Sequence, residues 1–599
     1  MNLTSAFLRF KDIFCVDFEF GSKPGDRPEP RCLVAKEIFT GVTQRIWIKP
    51  GMTCPLAFDS PGALYIAFFS SAEFSCHLAL GWPLPSNVLD LFVEFKNLTN
   101  GSSWKLGNSL LSAQSFFGVQ GLAATEKDEM RELALRGDAY SDGEQSALMD
   151  YCESDVVALA ALFEKMMPVL DLPRALLRGS YMVSSARMEH LGIPVDKPLL
   201  EKVKHYWTPL QHRIVAGIDR EYGVYEGLKF REIKFQEYLV KNNINWPSLT
   251  SGRLDLSDDT FKNMAQIHPC LQPLRELRQT LSKMRLSELP VGKDARNRCI
   301  LSPFRARTSR NQPSNSKFIF GPAKWIRGFI KPAPGMALAY LDYEQQEWGI
   351  AAALSQDGPM QEAYMSGDPY LRFAMQAGAV PKDATKKSHK VERERFKQCA
   401  LAVAYGMGAK SLALKLNQPI PYSEELLALH KRVYAKFWRW NEAVVASAMG
   451  SKRISTVFGW NMVVSKRNSI PALSNFPMQA NGAEMLRLAI IHAQNAGVSV
   501  IAPVHDALLI EAPIGEIQSA IDRTSQAMIR ASREVLDGFE LRNDVEVISF
   551  PDRYMDERGQ VMWDEIMGNL VKIEADEKQF TDEHPVLVHE HPSLLINIY

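Results

Sequence analysis

Cysteine is sparse in this chain of 599 residues: there are eight, and no two form a Cys-x-x-Cys pair. That removes zinc-ribbon sites and a disulfide framework, and it fits a reducing cytoplasm. No apolar run is long enough to span a bilayer, and the N-terminus lacks a signal-peptide pattern, so a cytoplasmic protein is expected. Internal repeats and low-complexity tracts are missing, and the length calls for several domains. Net charge is missing too, with 69 Lys and Arg against 69 Asp and Glu. A zero sum argues mildly against a nucleic-acid binder, but distribution matters more. Acidic residues are absent from Ala295 to Leu341, where Arg296, Arg298, Arg305, Arg307, Arg310, Lys317, Lys324, Arg327 and Lys331 all lie, and a second basic cluster runs from Lys386 through Lys397. A solvated face usually mixes signs, so a stretch this one-sided suits a phosphate-lined track.

What is present centres on Ala339 to Trp348. The apolar run Met336-Ala-Leu-Ala-Tyr-Leu has strand length and leads to Asp342, after which a polar turn carries Glu347. A carboxylate at a strand end can hold a hard divalent cation, although Asp there is more often a turn former or helix cap. Downstream, Arg393, Lys397, Leu401 and Tyr405 recur every four residues, which keeps them near one helical face, and Gly406 is a stop signal. The face is cationic at its start and aromatic or apolar at its end, which suits a triphosphate and a base. Pro503-Val-His-Asp-Ala-Leu-Leu-Ile then brings Asp506 into an apolar, strand-like run.

These stretches resemble the motifs of family A DNA polymerases, the class of bacterial DNA polymerase I and many phage polymerases. Asp342-Tyr-Glu-Gln-Gln-Glu347 resembles motif A, Arg393-x3-Lys397-x3-Leu401-x3-Tyr405-Gly406 resembles motif B, and Val504-His505-Asp506-Ala507 resembles motif C. Pro477-Met-Gln-Ala-Asn-Gly resembles a further family segment and places Gln479. Four motifs in the right order are specific, and the resemblance covers nearly the whole chain, weakening after about Trp563. It implies two Mg²⁺ ions per active site, with Mn²⁺ as a substitute, held by Asp342 and Asp506. Arg393 and Lys397 would bind the triphosphate, and Lys397 would also protonate pyrophosphate. Leu401 and Tyr405 would wall the base pair, Glu347 would block a 2′-hydroxyl, and Gln345 and Tyr370 would border the nucleotide. Arg307 and Gln479 would read minor-groove acceptors, and His505 would lie near the primer end. Four positions depart from the family: Ala507 for Glu, Gly349 for Arg, Leu401 for an aromatic ring and Tyr370 for His.

The N-terminal part reads as an α/β unit. Phe14-Cys-Val-Asp-Phe-Glu-Phe is a strand on which Asp17 and Glu19 share a face. Ala63 to Phe69 is a second strand, followed by Glu73 and then by Val88-Leu-Asp90, and Met149 to Leu159 reads as a helix with Tyr151 and Asp155 one turn apart. An Asp-x-Glu pair alone is usually surface charge. The ordered set resembles the proofreading 3′–5′ exonuclease of the DEDD superfamily with a Tyr-x3-Asp third motif. Asp17, Glu19 and Asp155 would hold its metals and Tyr151 would orient the attacking water. The second motif departs from the family pattern. Glu73 is the first choice for its carboxylate and Asp90 the alternative.

The implied fold is α/β and α+β, multidomain: a ribonuclease H-like exonuclease domain (1–172), a linker and helical thumb (173–295), a palm (296–353 and 456–569) with fingers inserted (354–455), and a loose C-terminal extension (570–599). No segment resembles the 5′ nuclease that precedes the exonuclease in bacterial DNA polymerase I. The implied partners are primer-template DNA and deoxynucleoside triphosphates, with no membrane and a monomeric chain. Two other readings stay open at this level. One is a low-fidelity gap-filling or lesion-bypass polymerase with a weak exonuclease. The other is a non-catalytic DNA-binding protein that kept the fold.

Overall fold

The computed structural model describes residues 5–119, 124–137, 139–283, 286–321, 323–465 and 468–583. The chain forms two compact units, each assembled from separated segments: Met1–Ile193, Gly292–Pro313 and Gly335–Val547 in the first, and Pro194–Val291, Ser314–Pro334 and Ile548–Tyr599 in the second. The N-terminal sheet shares a unit with the segment from Gly335 to Val547.

The first unit opens with a five-stranded sheet built from β1 (Asp12–Gly21), β2 (Glu29–Glu37), β3 (Thr43–Trp47), β4 (Ala63–Ala67) and β5 (Val88–Asp90), in the order β3-β2-β1-β4-β5. Strand alternation splits its apolar residues between two cores. Ile13 and Cys15 pack with Cys152, Val156 and Leu159, while Phe14, Val16 and Phe18 pack with Phe74 and Val183. Helices therefore cover both faces. Those that matter here are α1 (Ser71–Leu80), α2 (Leu91–Thr99), α3 (Asp142–Met166) and α4 (Leu172–Leu191). The start of α3 is fixed by a reciprocal capping box between Ser141 and Glu144. A buried ion pair joins Arg178 of α4 to Glu94 of α2, with Nε–Oε1 at 2.6 Å and Nη2–Oε2 at 2.7 Å.

The same unit holds a second, four-stranded sheet. Its strands are β6 (Met336–Tyr343), β7 (Ser499–Val504), β8 (Ala507–Pro513) and β9 (Asn543–Ser549), in the order β7-β8-β6-β9. Helix α5 (Gln346–Ser355) follows β6 after a turn in which Gln345 takes φ 43°. Helices α6 (Pro369–Gln376), α7 (Lys390–Ala404), α8 (Ile470–Asn495) and α9 (Ile517–Val535) complete the surroundings. Gly349 lies where α5 is packed most closely: a Cβ there would stand 2.3 Å from Leu541 Cδ2 and 3.1 Å from Tyr364 Cε2. Packing thus explains why no long cationic side chain occupies that position.

The second unit is mainly helical. In the helix Gln272–Lys283, Leu274 and Leu277 are buried. Arg278 of that helix stacks over Phe230 and Phe261, its guanidinium 4.2 and 4.3 Å from the ring centroids. This cation serves the local core. The C-terminal segment departs from expectation. Residues up to Glu583 belong to a continuous helix, Glu557–Glu583, which buries Trp563, Ile566, Leu570 and Ile573 at helical spacing. Its polar second half is held by Lys202–Glu574 at 2.6 Å and by contacts of Arg213 with Asp576 and of Tyr206 with Glu577. The remaining expected extension, 584–599, lies outside the described residues.

The basic stretch is also less uniform than its sequence. Arg298 is buried on Asp294, with Nη2–Oδ2 at 2.6 Å, and on the carbonyls of His190 and Leu191. Arg327, in the second unit, is buried on Asp556 at 2.7 Å. These two Arg side chains are structural, while Arg305 and Arg307 remain exposed.

Candidate active sites

The first site grows from β6. Along β6 and β8 the register runs from Met336 opposite Pro513 to Asp342 opposite Ala507. Asp506 is not inside one continuous strand, as expected, but at the tip of the β7–β8 hairpin. Val504 pairs with Ala507, so His505 and Asp506 are the two turn residues. His505 carries φ 60°, a left-handed conformation uncommon for a residue with a side chain. The hairpin explains the pattern, because apolar runs on both sides of the turn read as one run in sequence.

Asp342 and Asp506 act on each other electrostatically. Burial, followed by the charges of Asp506 and Asp544, pushes the Asp342 carboxyl up to about 7. Burial also raises Asp506, while Arg310 and His505 pull it back. Asp342 Oδ1 is buried and has no hydrogen-bond partner. An orphaned, mutually repelled carboxylate is costly unless a cation is supplied. The donor set, hard oxygens with no thiol or imidazole pair, fits Mg²⁺ or Mn²⁺.

Beside these carboxylates lies a cavity of about 430 Å³ lined by Gln345, Glu347, Tyr370, Leu401, Tyr405, His505 and Asp506 among others. Seven of the residues singled out in sequence are thus gathered around one space. Glu347 is raised by burial, opposed by Arg310, whose Nη2 is 3.7 Å from Glu347 Oε1, and it shares a hydrogen bond with Tyr405. Arg310 also lines the cavity, and sequence reading placed it only within a basic stretch. Its neighbour Ser309 is anchored by Arg487 of α8, which donates to the Ser309 carbonyl at 2.8 Å and to its hydroxyl at 2.9 Å. The Arg307 carbonyl accepts from Asn100 Nδ2 at 2.8 Å and from Trp460 Nε1 at 2.9 Å, leaving its side chain outward.

Helix α7 carries its residues as spaced in sequence. Tyr405 is its C-cap, and Gly406 turns the chain away at φ 63°. Leu401 and Tyr405 reach the cavity. Arg393 and Lys397 do not line it: Arg393 Nε is bonded to Asp368, the N-cap of α6, and its guanidinium lies 5.7 Å from the Tyr370 ring. Lys397 Nζ is 3.8 Å from Glu394. Burial raises Tyr370 to about 12, so its hydroxyl stays protonated. Gln479, half-buried on α8, and Arg307 also lie off the cavity lining.

The second site lies on the N-terminal sheet. Asp17 and Glu19 share the face of β1 that meets α3, and Cys152 of α3 donates its thiol to Asp17 O and Oδ2, both at 3.3 Å. Tyr151, also on α3, is raised by burial and then by Asp155, Glu19 and Asp17, so these four groups are gathered together. Glu73, in the first turn of α1, is driven far above the carboxylate range by burial and then by Asp17, Glu19, Asp90 and Asp155. Its Oε2 is buried without a partner. Asp90 is differently placed. It caps α2 through Val93 N at 3.1 Å and accepts from Ser70 N and Oγ, both at 2.7 Å, and from Phe69 N at 3.3 Å. Of the two alternatives, Glu73 is the carboxylate left open and Asp90 is the one committed to holding the chain.

Among the described residues, no three His, Cys, Asp or Glu side chains converge closely enough to form a ready-made metal cage. Both sites are open groups of carboxylates. Also among the described residues, no helix is long and apolar enough to cross a membrane.

The family described as DNA polymerase family A matches residues 309–547. The DNA polymerase of Mycobacterium phage L5 is 24% identical over 409 residues, which is 65% of this chain and 65% of the phage protein. DNA polymerase I of Aquifex aeolicus is 24% identical over 430 residues, 65% of this chain and 73% of that protein. Among solved structures, the POL domain of Pol1 from M. smegmatis in complex with DNA primer-template and dNTP aligns with a TM-score of 0.70 at 20% identity, covering 89% of this chain and 94% of that one. At that identity the likeness establishes the palm, fingers and thumb fold.

Proposed function

Starting from a family A DNA polymerase domain over residues 309–547, we propose that this protein extends a primer 3′ end by template-directed addition of deoxynucleotides and removes 3′ nucleotides at its second site. The observation that carries the first half is the pairing of Asp342 with Asp506, which itself lines the cavity of Glu347, Leu401 and Tyr405. Carboxylates alone repel a triphosphate. Carboxylates beside a base-sized, partly apolar space suit a nucleotide whose phosphates arrive with cations.

Asp342 and Asp506 would hold those cations, which supply activation of the primer 3′-hydroxyl and neutralisation of the phosphate charge. The remaining roles belong to side chains. Arg393, its Nε held by Asp368, presents the rest of its guanidinium to the triphosphate, and Lys397 supplies a point charge and a proton for departing pyrophosphate. Tyr370 steadies Arg393 through its ring. Leu401 and Tyr405 form the wall under the new base pair. Glu347, kept in place by Arg310 and Tyr405, fills the space a 2′-hydroxyl would need. Gln345 sets the turn that aims Glu347, Arg307 and Gln479 contact the minor groove, and His505 shapes the hairpin tip near the primer end.

At the second site Asp17, Glu19, Glu73 and Asp155 would hold divalent ions, and the protonated Tyr151 hydroxyl would orient the attacking water. The orphaned Glu73 oxygen supports this reading. We expect a monomer acting on primer-template DNA. One assay tests both halves: a labelled primer on a longer template, with Mg²⁺, with and without deoxynucleoside triphosphates. Growth of the primer with nucleotides and shortening without them is expected. A primer unchanged in both lanes would refute the proposal.

A further inference from the structure

The two strands beside Asp342 differ in what they offer it. On the β8 side its cross-strand partner is Ala507, a buried methyl group. On the other side runs β9. Glu344 N donates to the Arg542 carbonyl at 3.0 Å, and Arg542 Nε pairs with Glu344 Oε2 at 3.0 Å. The end of β6 therefore meets the start of β9, and the strands run in opposite directions. Asp342 lies two residues before Glu344, and Asp544 lies two residues after Arg542. Residues two apart on a strand share a face, so Asp342 and Asp544 stand on the same side of the sheet. The sheet order, with β9 next to β6, sets the two carboxylates on neighbouring strands. Asp544 is exposed, and its Oδ1 accepts from the adjacent Val545 N at 2.9 Å.

We propose that Asp544 is a positioning residue for the cation held by Asp342 and Asp506: from β9 it adds a third negative charge where Ala507 offers none. Its charge would act from outside the inner set of ligands, since no three acidic side chains among the described residues form a close cage. The inference rests on the polymerase reading of the Asp342 site. It assigns to this chain a charge arrangement on the opposite flank of the central strand from the hairpin that carries Asp506.

The test compares four full-length proteins: the parent, Asp544→Asn, Asp544→Asn with Ala507→Glu, and Asp342→Asn. Mn²⁺ binding is measured by electron paramagnetic resonance without DNA or nucleotide, and the Mg²⁺ concentration for half-maximal primer extension is measured separately. Ions on the N-terminal sheet are common to all four and cancel. Asp544→Asn is expected to weaken Mn²⁺ binding by about tenfold, the scale of losing an outer-shell partner. The Mg²⁺ requirement should rise in parallel, while the rate at saturating Mg²⁺ stays near the parent. Ala507→Glu should restore binding. Parent-like binding by Asp544→Asn overturns the proposal, and so does weakened binding that Ala507→Glu leaves uncorrected, which would mean a disturbed strand. If Asp342→Asn also binds Mn²⁺ like the parent, the underlying site assignment falls instead.

Discussion

The two acidic clusters solve the problem of crowded charge in different ways. Around Asp342 and Asp506 the chain supplies counter-charge: Arg310 and His505 both lower Asp506, and Arg310 also opposes the burial of Glu347. Around Glu73 the leading charges are Asp17, Glu19, Asp90 and Asp155, all of one sign. One site is partly balanced by its own cations. At the other the leading charged neighbours are all acidic. On that contrast, the second cluster is expected to gain more stability than the first when one of its carboxylates is neutralised. A sheet that keeps such a cluster stays folded because both its faces are covered by large apolar cores.

Variants that remove one carboxylate at a time separate the two clusters. The largest effect is expected at the first. Asp342→Ala or Asp506→Ala should lower primer extension by at least about 10²-fold, the scale of losing one preorganised transition-state group. Primer shortening should persist, because the N-terminal cluster is untouched. Extension at wild-type rate by either variant would show that the comparison has the wrong centre.

At the second cluster the expected result has two signs. Glu73→Gln should abolish most primer shortening yet raise the stability of the metal-free protein by about 1–2 kcal/mol, as relieving a strained functional site commonly does. Asp90→Ala should do the reverse. It removes the α2 cap and leaves the donors of Phe69 and Ser70 unmatched, which costs about 2–4 kcal/mol of stability. Thermal denaturation in chelator, read beside primer degradation, distinguishes them. A destabilised Glu73→Gln would remove the contrast drawn between the clusters.

These sites were legible in sequence to different depths. Asp17, Glu19, Tyr151 and Asp155 could be read because a strand repeats every two residues and a helix every three to four, so spacing alone fixes which side chains share a face. Helix α7 was legible for the same reason. The hairpin at Asp506 was not, since the tight His505-Asp506 turn contains no Gly, Pro or Asn to mark it. Asp544 was invisible because its nearness to Asp342 arises only when β9 joins the sheet edge, some two hundred residues along the chain. Arg310 was one cation among nine, and only the anchoring of Ser309 by Arg487 aims it at Glu347. The helix to Glu583 was hidden by its polar second half, which is held by ion pairs rather than by an apolar stripe.

Within the cavity beside Asp342 the expected effects are smaller, because they concern selection rather than chemistry. Glu347→Ala should raise ribonucleotide incorporation relative to deoxynucleotide by about 10- to 200-fold, the range over which one small group is discriminated in a closed pocket. An unchanged ratio would assign the sorting to Tyr405.

The smallest effect is expected at Leu401, which lines the same cavity on α7 one turn before Tyr405. A branched aliphatic side chain offers the incoming sugar contact area and no hydrogen bond. When a nucleotide lacking its 3′-hydroxyl binds, a bond made by that hydroxyl is lost and Leu401 has nothing to put in its place. The protein should therefore discriminate against dideoxynucleotides. Leu401→Tyr places a hydroxyl at the end of a ring in the same direction, and one recovered hydrogen bond is worth about 1 kcal/mol, or roughly fivefold. The ring must fit beside Glu347 and Tyr370, both already in the lining, so part of that gain is offset by crowding. The measured quantity is the ratio of dideoxy to deoxy incorporation efficiency in the two proteins. A ratio that rises about fivefold in Leu401→Tyr places the residue beside the sugar. An equal ratio places the sugar elsewhere in the cavity, and the wall under the base pair would then be made by Tyr405 and the α5 residues alone.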